Sequence, residues 1–239
     1  MTTRQILPVL LVSAMLTACG GGNPKSASQD NAKPQTPTEQ PAKKTLPFLT
    51  QDLRMYNIFG KVKNFKTTFT NTDAQQKPTE QPEEDWLLME FDADGHFVNR
   101  VSYWAEKSNI KQQDGDKIIK TETPIEEYGG MPVIVEYKYD SDGLVKSIHI
   151  KGIESVSDIE YTYNADGELT KSIEKGSGEG SVYEIETTYT ILERDASKNW
   201  TKCFTKTTSM TGPDDGSGKL EPLFDGPTYQ LQTRAINYW

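Results

Sequence analysis

Residues 133–175 carry one unit twice, and that unit leaves the chain little choice of fold. The first copy is VIVEYKYDSDGLVKSIHI and the second IEYTYNADGELTKSIEK. Each is an alternating aromatic strand, an Asp-Gly turn and a second alternating strand, the strongest short-range signal for a β-hairpin. Tyr137, Tyr139 and Gly143 recur as Tyr161, Tyr163 and Gly167 at a spacing of 24, whereas Lys146-Ser147-Ile148 recurs as Lys171-Ser172-Ile173 at 25. The second turn is therefore read as one residue longer. Side chains alternate with a period of two, so an uncompensated extra residue would flip the returning strand; a bulge or a longer loop is expected to absorb it.

The same pattern extends along the chain. Residues 89–101 follow the second copy position by position, residues 60–65 fit the return half of the first, and residues 182–191 with 200–204 form another pair. No stretch has an apolar period of 3.6 over helical length. The expectation is an all-β fold: an antiparallel β-meander of about ten to twelve strands, a curled open sheet or barrel-like, built from repeated hairpins. Straight alternation assigns Ile159, Tyr161, Tyr163, Leu169, Lys171 and Ile173 to a packed face, with Phe97/Asn99/Val101, Leu144/Lys146/Ile148 and Trp200/Lys202/Phe204 as their counterparts. Ser172, Thr170, Thr162 and Glu160 go to the wet face. One wet face argues against a sheet covered by helices on both sides, and its charge argues against a transmembrane barrel.

Upstream of the hairpins the composition changes. Residues 1–18 carry Arg4, an apolar run over 6–16 and small residues before Cys19, the pattern of a lipoprotein signal peptide too short to span a bilayer. Leu16-Thr17-Ala18-Cys19 resembles the bacterial lipobox, which implies cleavage before Cys19 and palmitate-type acylation of its thiol and amine. Several acyl chains anchor a protein stably. The expected partner at that end is the lipid bilayer, and the expected location is the bacterial cell envelope, outer-membrane-anchored. Residues 19–47, rich in Pro, Gln, Lys and Thr, cannot bury enough apolar surface to order themselves and are expected to form a disordered tether. A single β domain is expected over 48–239, with a flexible loop at 71–85.

Charge and cysteine content narrow the chemistry. Without Arg4 the chain has 25 basic and 35 acidic residues, a net charge of −10, which disfavours nucleic acid as a partner. With Cys19 acylated, Cys203 has no partner for a disulfide; it is expected as a half-exposed structural thiol opposite Trp200, Lys202 and Phe204. His96 and His149 have no paired-ligand spacing. The acidic turns at 92–95, 140–143, 164–167 and 214–216 lack the later glutamate of a calcium loop, and turn chemistry explains their residues. No metal and no cofactor is expected, and no catalytic residue. Trp104, Tyr128 and Trp239 are candidate contact aromatics.

Tyr139-Asp140-Ser141-Asp142-Gly143-Leu144 and Tyr163-Asn164-Ala165-Asp166-Gly167 resemble the YD repeats of RHS and teneurin proteins and the Y-x-Y-D-x-x-G units of small Bacteroidetes lipoproteins. Asn199-Trp200-Thr201-Lys202 resembles the G-N-W-T-K-R motif of those lipoproteins, with Lys198 in place of the glycine and Cys203 in place of the arginine. Residues 233–238 resemble their R-x-I-x-Y terminus. The resemblance implies a β-meander of lipoprotein class and supplies no catalytic residue. The functional expectation is a noncatalytic envelope lipoprotein presenting a surface to an envelope protein or glycan. Its alternatives are a small apolar ligand carrier with an internal cavity and a polysaccharide-acting hydrolase.

Overall fold

The computed structural model describes residues 49–79, 86–102, 107–165 and 167–239. The signal, the tether, Cys19, Trp104 and part of the 71–85 connector lie outside them. One short helix, α1 (Gln51–Met55), precedes thirteen strands among the described residues: β1 (Val62–Thr72), β2 (Trp86–Phe91), β3 (Phe97–Ser102), β4 (Asn109–Asp114), β5 (Lys117–Ile125), β6 (Met131–Tyr139), β7 (Val145–Lys151), β8 (Ser155–Tyr163), β9 (Leu169–Gly178), β10 (Ser181–Arg194), β11 (Trp200–Pro213), β12 (Glu221–Pro222) and β13 (Thr228–Tyr238). They form one antiparallel sheet in the order β3-β2-β1-β13-β11-β10-β9-β8-β7-β6-β5-β4, with β12 against β11.

The order is that of an up-and-down barrel with one seam. β1 pairs along its whole length with β13, from Val62↔Tyr238 to Thr72↔Tyr229, so the two ends of the fold close the ring. The unpaired edges are β3 and β4, which follow one another in the chain. A hydrogen bond from Ser108 N to Arg100 O (3.0 Å) ties their connection together.

The hairpin turns share one construction. Phe91 pairs with Phe97, Tyr139 with Val145, Tyr163 with Leu169 and Arg194 with Trp200, so the second central turn is no longer than the first. In each, the leading Asp or Asn donates its N–H to the carbonyl four residues on, and its side-chain oxygen accepts the amide of that residue: His96, Leu144, Glu168 and Asn199. Gly95, Gly143 and Gly167 take left-handed φ near 80°, and Lys198 does the same with φ 70°.

Immediately after each turn one residue bulges out of register: Val98, Lys146, Thr170 and Thr201. This corrects the faces expected from straight alternation, because a bulge shifts everything beyond it by one. Tyr137 faces Ile148, as expected, but Tyr161 faces Ser172, and Ile173 is turned to the other face opposite Glu160. Ser172 (3% exposed) and Cys203 (1%) therefore point into the ring. Outside, Lys171 pairs with Glu186, Lys202 with Glu193, and Phe204 stacks on Tyr229. Both central hairpins carry the same bulge, so the 25-residue spacing goes uncompensated and the inward positions change from isoleucines in β7 to Ser172, Glu174 and Gly176 in β9.

Residues 176–181, glycine-rich, are mostly strand. β9 runs to Gly178 and β10 begins at Ser181, with only Glu179 (φ 52°) and Gly180 (φ 76°) in the turn, both left-handed as a tight two-residue hairpin requires. Gly176 is needed for another reason: a Cβ there would stand 2.5 Å from the Tyr183 ring that crosses it.

The helix caps the end of the ring at which the Asp-Gly turns lie. Thr50 N-caps it, accepting from Leu53 N (3.1 Å) and donating to Gly95 O (2.6 Å). Asp52 accepts from Phe97 N (2.7 Å), while Gln51 and Arg54 donate to Gly143 O and Asp142 O. One side of the helix thus holds the β2–β3 turn and the other the β6–β7 turn, across the β3/β4 seam. Below it, Leu53, Met55, Tyr56 and Ile58 pack on Phe65, Met89, Phe91 and Phe97, with Tyr56 stacked 5.5 Å from Phe97.

Candidate functional site in the ring interior

The inward-facing positions follow from register. On the β6–β8 wall they are Val135, Tyr137, Ile148, Ile150, Ser157, Ile159 and Tyr161, an apolar surface interrupted by the Ser157 hydroxyl and the tyrosine hydroxyls. The opposite wall is largely polar, with Ile185 and Ile191 of β10 its apolar exceptions. β13 contributes a column of Gln230, Gln232 and Arg234, β11 contributes Cys203, Thr205 and Thr207, and β10 and β9 contribute Thr187, Tyr189, Ser172 and Glu174.

These groups satisfy one another only in part. Ser172 Oγ and Tyr189 OH lie 2.9 Å apart, Thr187 and Thr207 3.1 Å, and Gln232 donates to Gln230 Oε1 (3.2 Å). Glu174 accepts from Tyr183 OH (3.2 Å), and burial raises its carboxyl above the usual range against the opposing pull of Ser157 and Tyr183. Among the described residues, Tyr161 OH, Gln232 Oε1 and Arg234 Nε and Nη1 are buried without a hydrogen-bond partner. Each such group is expensive to leave unmatched in a folded protein.

Arg234 is the sharpest case. The residue is 7% exposed. Its guanidinium carbon stands 3.6 Å from the centre of the Trp200 ring and 4.6 Å from that of Phe65, so aromatic rings cover the planar group. Among the described residues no carboxylate acts on it. Desolvation pushes its pKa down to about 9, opposed only by Cys203. The Cys203 thiol is pushed up to about 12 by its own burial, so it is a protonated, unreactive core group and not the half-exposed thiol expected from alternation.

The two terminal motifs meet in space. Trp200 stacks on Arg234, and the neighbouring Asn199, fully buried, accepts from Phe59 N (2.7 Å) and donates to Phe59 O (2.9 Å) and Tyr238 OH (2.8 Å). Tyr238 OH also bonds Asp195.

Of the candidate contact aromatics, the two among the described residues stand at opposite ends of the ring. Tyr128 is exposed in the 3-10 turn between β5 and β6, at the end away from α1. Trp239 is exposed at the α1 end, its Nε1 donating to Asp92 O (3.0 Å) with the Lys63 ammonium 5.0 Å above its ring. His96 lies beside Asp52 (3.6 Å), and His149 bonds Asp158 across the outer surface of β7 and β8 (3.0 Å). Sequence reasoning missed Glu174 and Ser172 as interior groups. The mismatch between spacings of 24 and 25 was the signal that could have found them.

The chain matches no family model and no curated protein.

Proposed function

We propose that this protein is a noncatalytic small-molecule carrier whose binding site is the ring interior. In this reading acylated Cys19 and the 19–47 tether hold it at the bacterial cell envelope. The observation that carries the proposal is the set of unmatched polar atoms on the inner wall, Gln232 Oε1, Tyr161 OH and Arg234 Nε and Nη1, which a ligand would complete. The ring size supports it: eight strands enclose a space that side chains just fill, and twelve enclose more. So does the asymmetry of the ends. α1 and its aromatic neighbours fill one, with Val98, Tyr238 and Trp239 exposed around it, whereas no α-helix among the described residues covers the other, where Tyr128, Met131, Val156, Leu223 and Phe224 are exposed. That rim offers an entrance for a molecule with apolar parts.

A purely apolar ligand suits only the β6–β8 wall, so the cargo is amphipathic. The protein- or glycan-binding surface is less well supported, because Tyr128 and Trp239 stand at opposite ends. A hydrolase reading has no pair of interior carboxylates among the described residues to rest on.

Native mass spectrometry of the protein purified from its source, together with thermal shift against a panel of amphipathic small molecules, tests the reading. A co-purified mass or a saturable rise in melting temperature is expected. An interior found fully packed at high resolution, with no shift from any compound, would overturn it.

A further inference from the structure

Resting on the carrier reading, we propose that the cargo bears a single carboxylate and that this group docks against the Arg234 guanidinium. Arg234 is buried (7% exposed), its Nε and Nη1 have no hydrogen-bond partner, and it forms no ion pair among the described residues. A guanidinium is not neutralised under physiological conditions, so a cation buried without an anion is held at a cost that a bound anion relieves. Trp200 and Phe65 cover the planar group, which leaves its N–H edges for recognition. A carboxylate matches such an edge with two parallel hydrogen bonds.

Charge decides between anions. One unpaired cation balances a monocarboxylate, whereas a phosphate group carries about −1.5 to −2 at neutral pH and would bring an uncompensated charge into the same low-dielectric space. Gln232 and Gln230 continue the column along β13 away from α1 and would solvate the acid group on its way in. The Val135, Ile148, Ile150 and Ile159 wall then faces the body of the ligand.

The probes are octanoate, octanol and inorganic phosphate, with melting temperature and tryptophan fluorescence as readouts. Octanoate is expected to raise the melting temperature saturably and to change the emission of Trp200, while octanol and phosphate shift it at least tenfold more weakly. Arg234→Met is expected to melt no lower than the wild type without ligand and to lose the octanoate response. Should that variant fail to fold, the carboxyl resonance of 13C-labelled octanoate, read with wild-type protein alone, still decides. Octanol binding as tightly as octanoate, or phosphate binding better, would overturn the carboxylate proposal and leave the carrier reading standing. No binding of any probe would overturn this proposal, and only the wider amphiphile panel returning nothing would take the carrier reading with it.

Discussion

At the scale of single residues, two positions hold unfavourable states that a substitution should relieve. Lys198 adopts φ 70° where the equivalent turns use Gly95, Gly143 and Gly167. A left-handed L-residue costs about 1–2 kcal/mol, and glycine returns part of that gain through a freer unfolded chain. Lys198→Gly is therefore expected to stabilise the fold by about 0.5–1 kcal/mol, seen as a higher urea midpoint at unchanged slope. Glu174 is the second position. Its folded pKa is raised by burial, so its contribution is most favourable below its ordinary pKa and is lost as pH rises through the raised value. Glu174→Gln keeps hydrogen bonds to Ser157 and Tyr183 without burying charge. It should stabilise the protein at pH 7 by on the order of 1 kcal/mol, with the advantage shrinking as denaturation is repeated towards pH 4. An advantage that grew at low pH would show the carboxylate to be stabilising in its charged form.

At the scale of elements, α1 shows that five residues without intrinsic helical stability are held by what they cap. Its side chains join the β2–β3 turn to the β6–β7 turn over the seam, and the sheet itself makes no such connection. Replacing Gln51 and Arg54 together with alanine removes both bonds to the β6–β7 turn. The expected cost is about 1–2 kcal/mol, with faster amide exchange concentrated in β3 and β4 and little change in β8 to β11. Uniformly faster exchange would instead mean that α1 supports the whole core and not the seam. The bulges act at the same scale: a single out-of-register residue after each turn decides which half of every return strand faces the interior.

At the scale of the molecule, ring closure depends on sites remote in sequence. Asn199 joins the segment after α1, the β10–β11 turn and the end of β13 through Phe59 and Tyr238. Asn199→Ala leaves the backbone amide and carbonyl of Phe59 without these bonds. A loss of about 2–4 kcal/mol is expected in a single cooperative transition followed by circular dichroism. If β13 frayed while the main transition stayed in place, the closure would be local and the ring would owe its stability to the sheet alone.

The sequence by itself determined the strands, the antiparallel order and the turn chemistry, because alternation and Asp-Gly turns are local properties of consecutive residues. Tyr183, Ile185, Thr187, Tyr189 and Ile191 share a face in β10 as alternation requires, since no bulge interrupts them before Ile191. Tertiary structure alone decided the interior. Trp200, Phe65 and Arg234 come from three strands and meet only when β13 inserts between β1 and β11. The polarity of β9 was hidden for a related reason: register is set by pairing with a neighbour, and one bulged residue exchanges Ile173 for Ser172 and Glu174 on the inner wall.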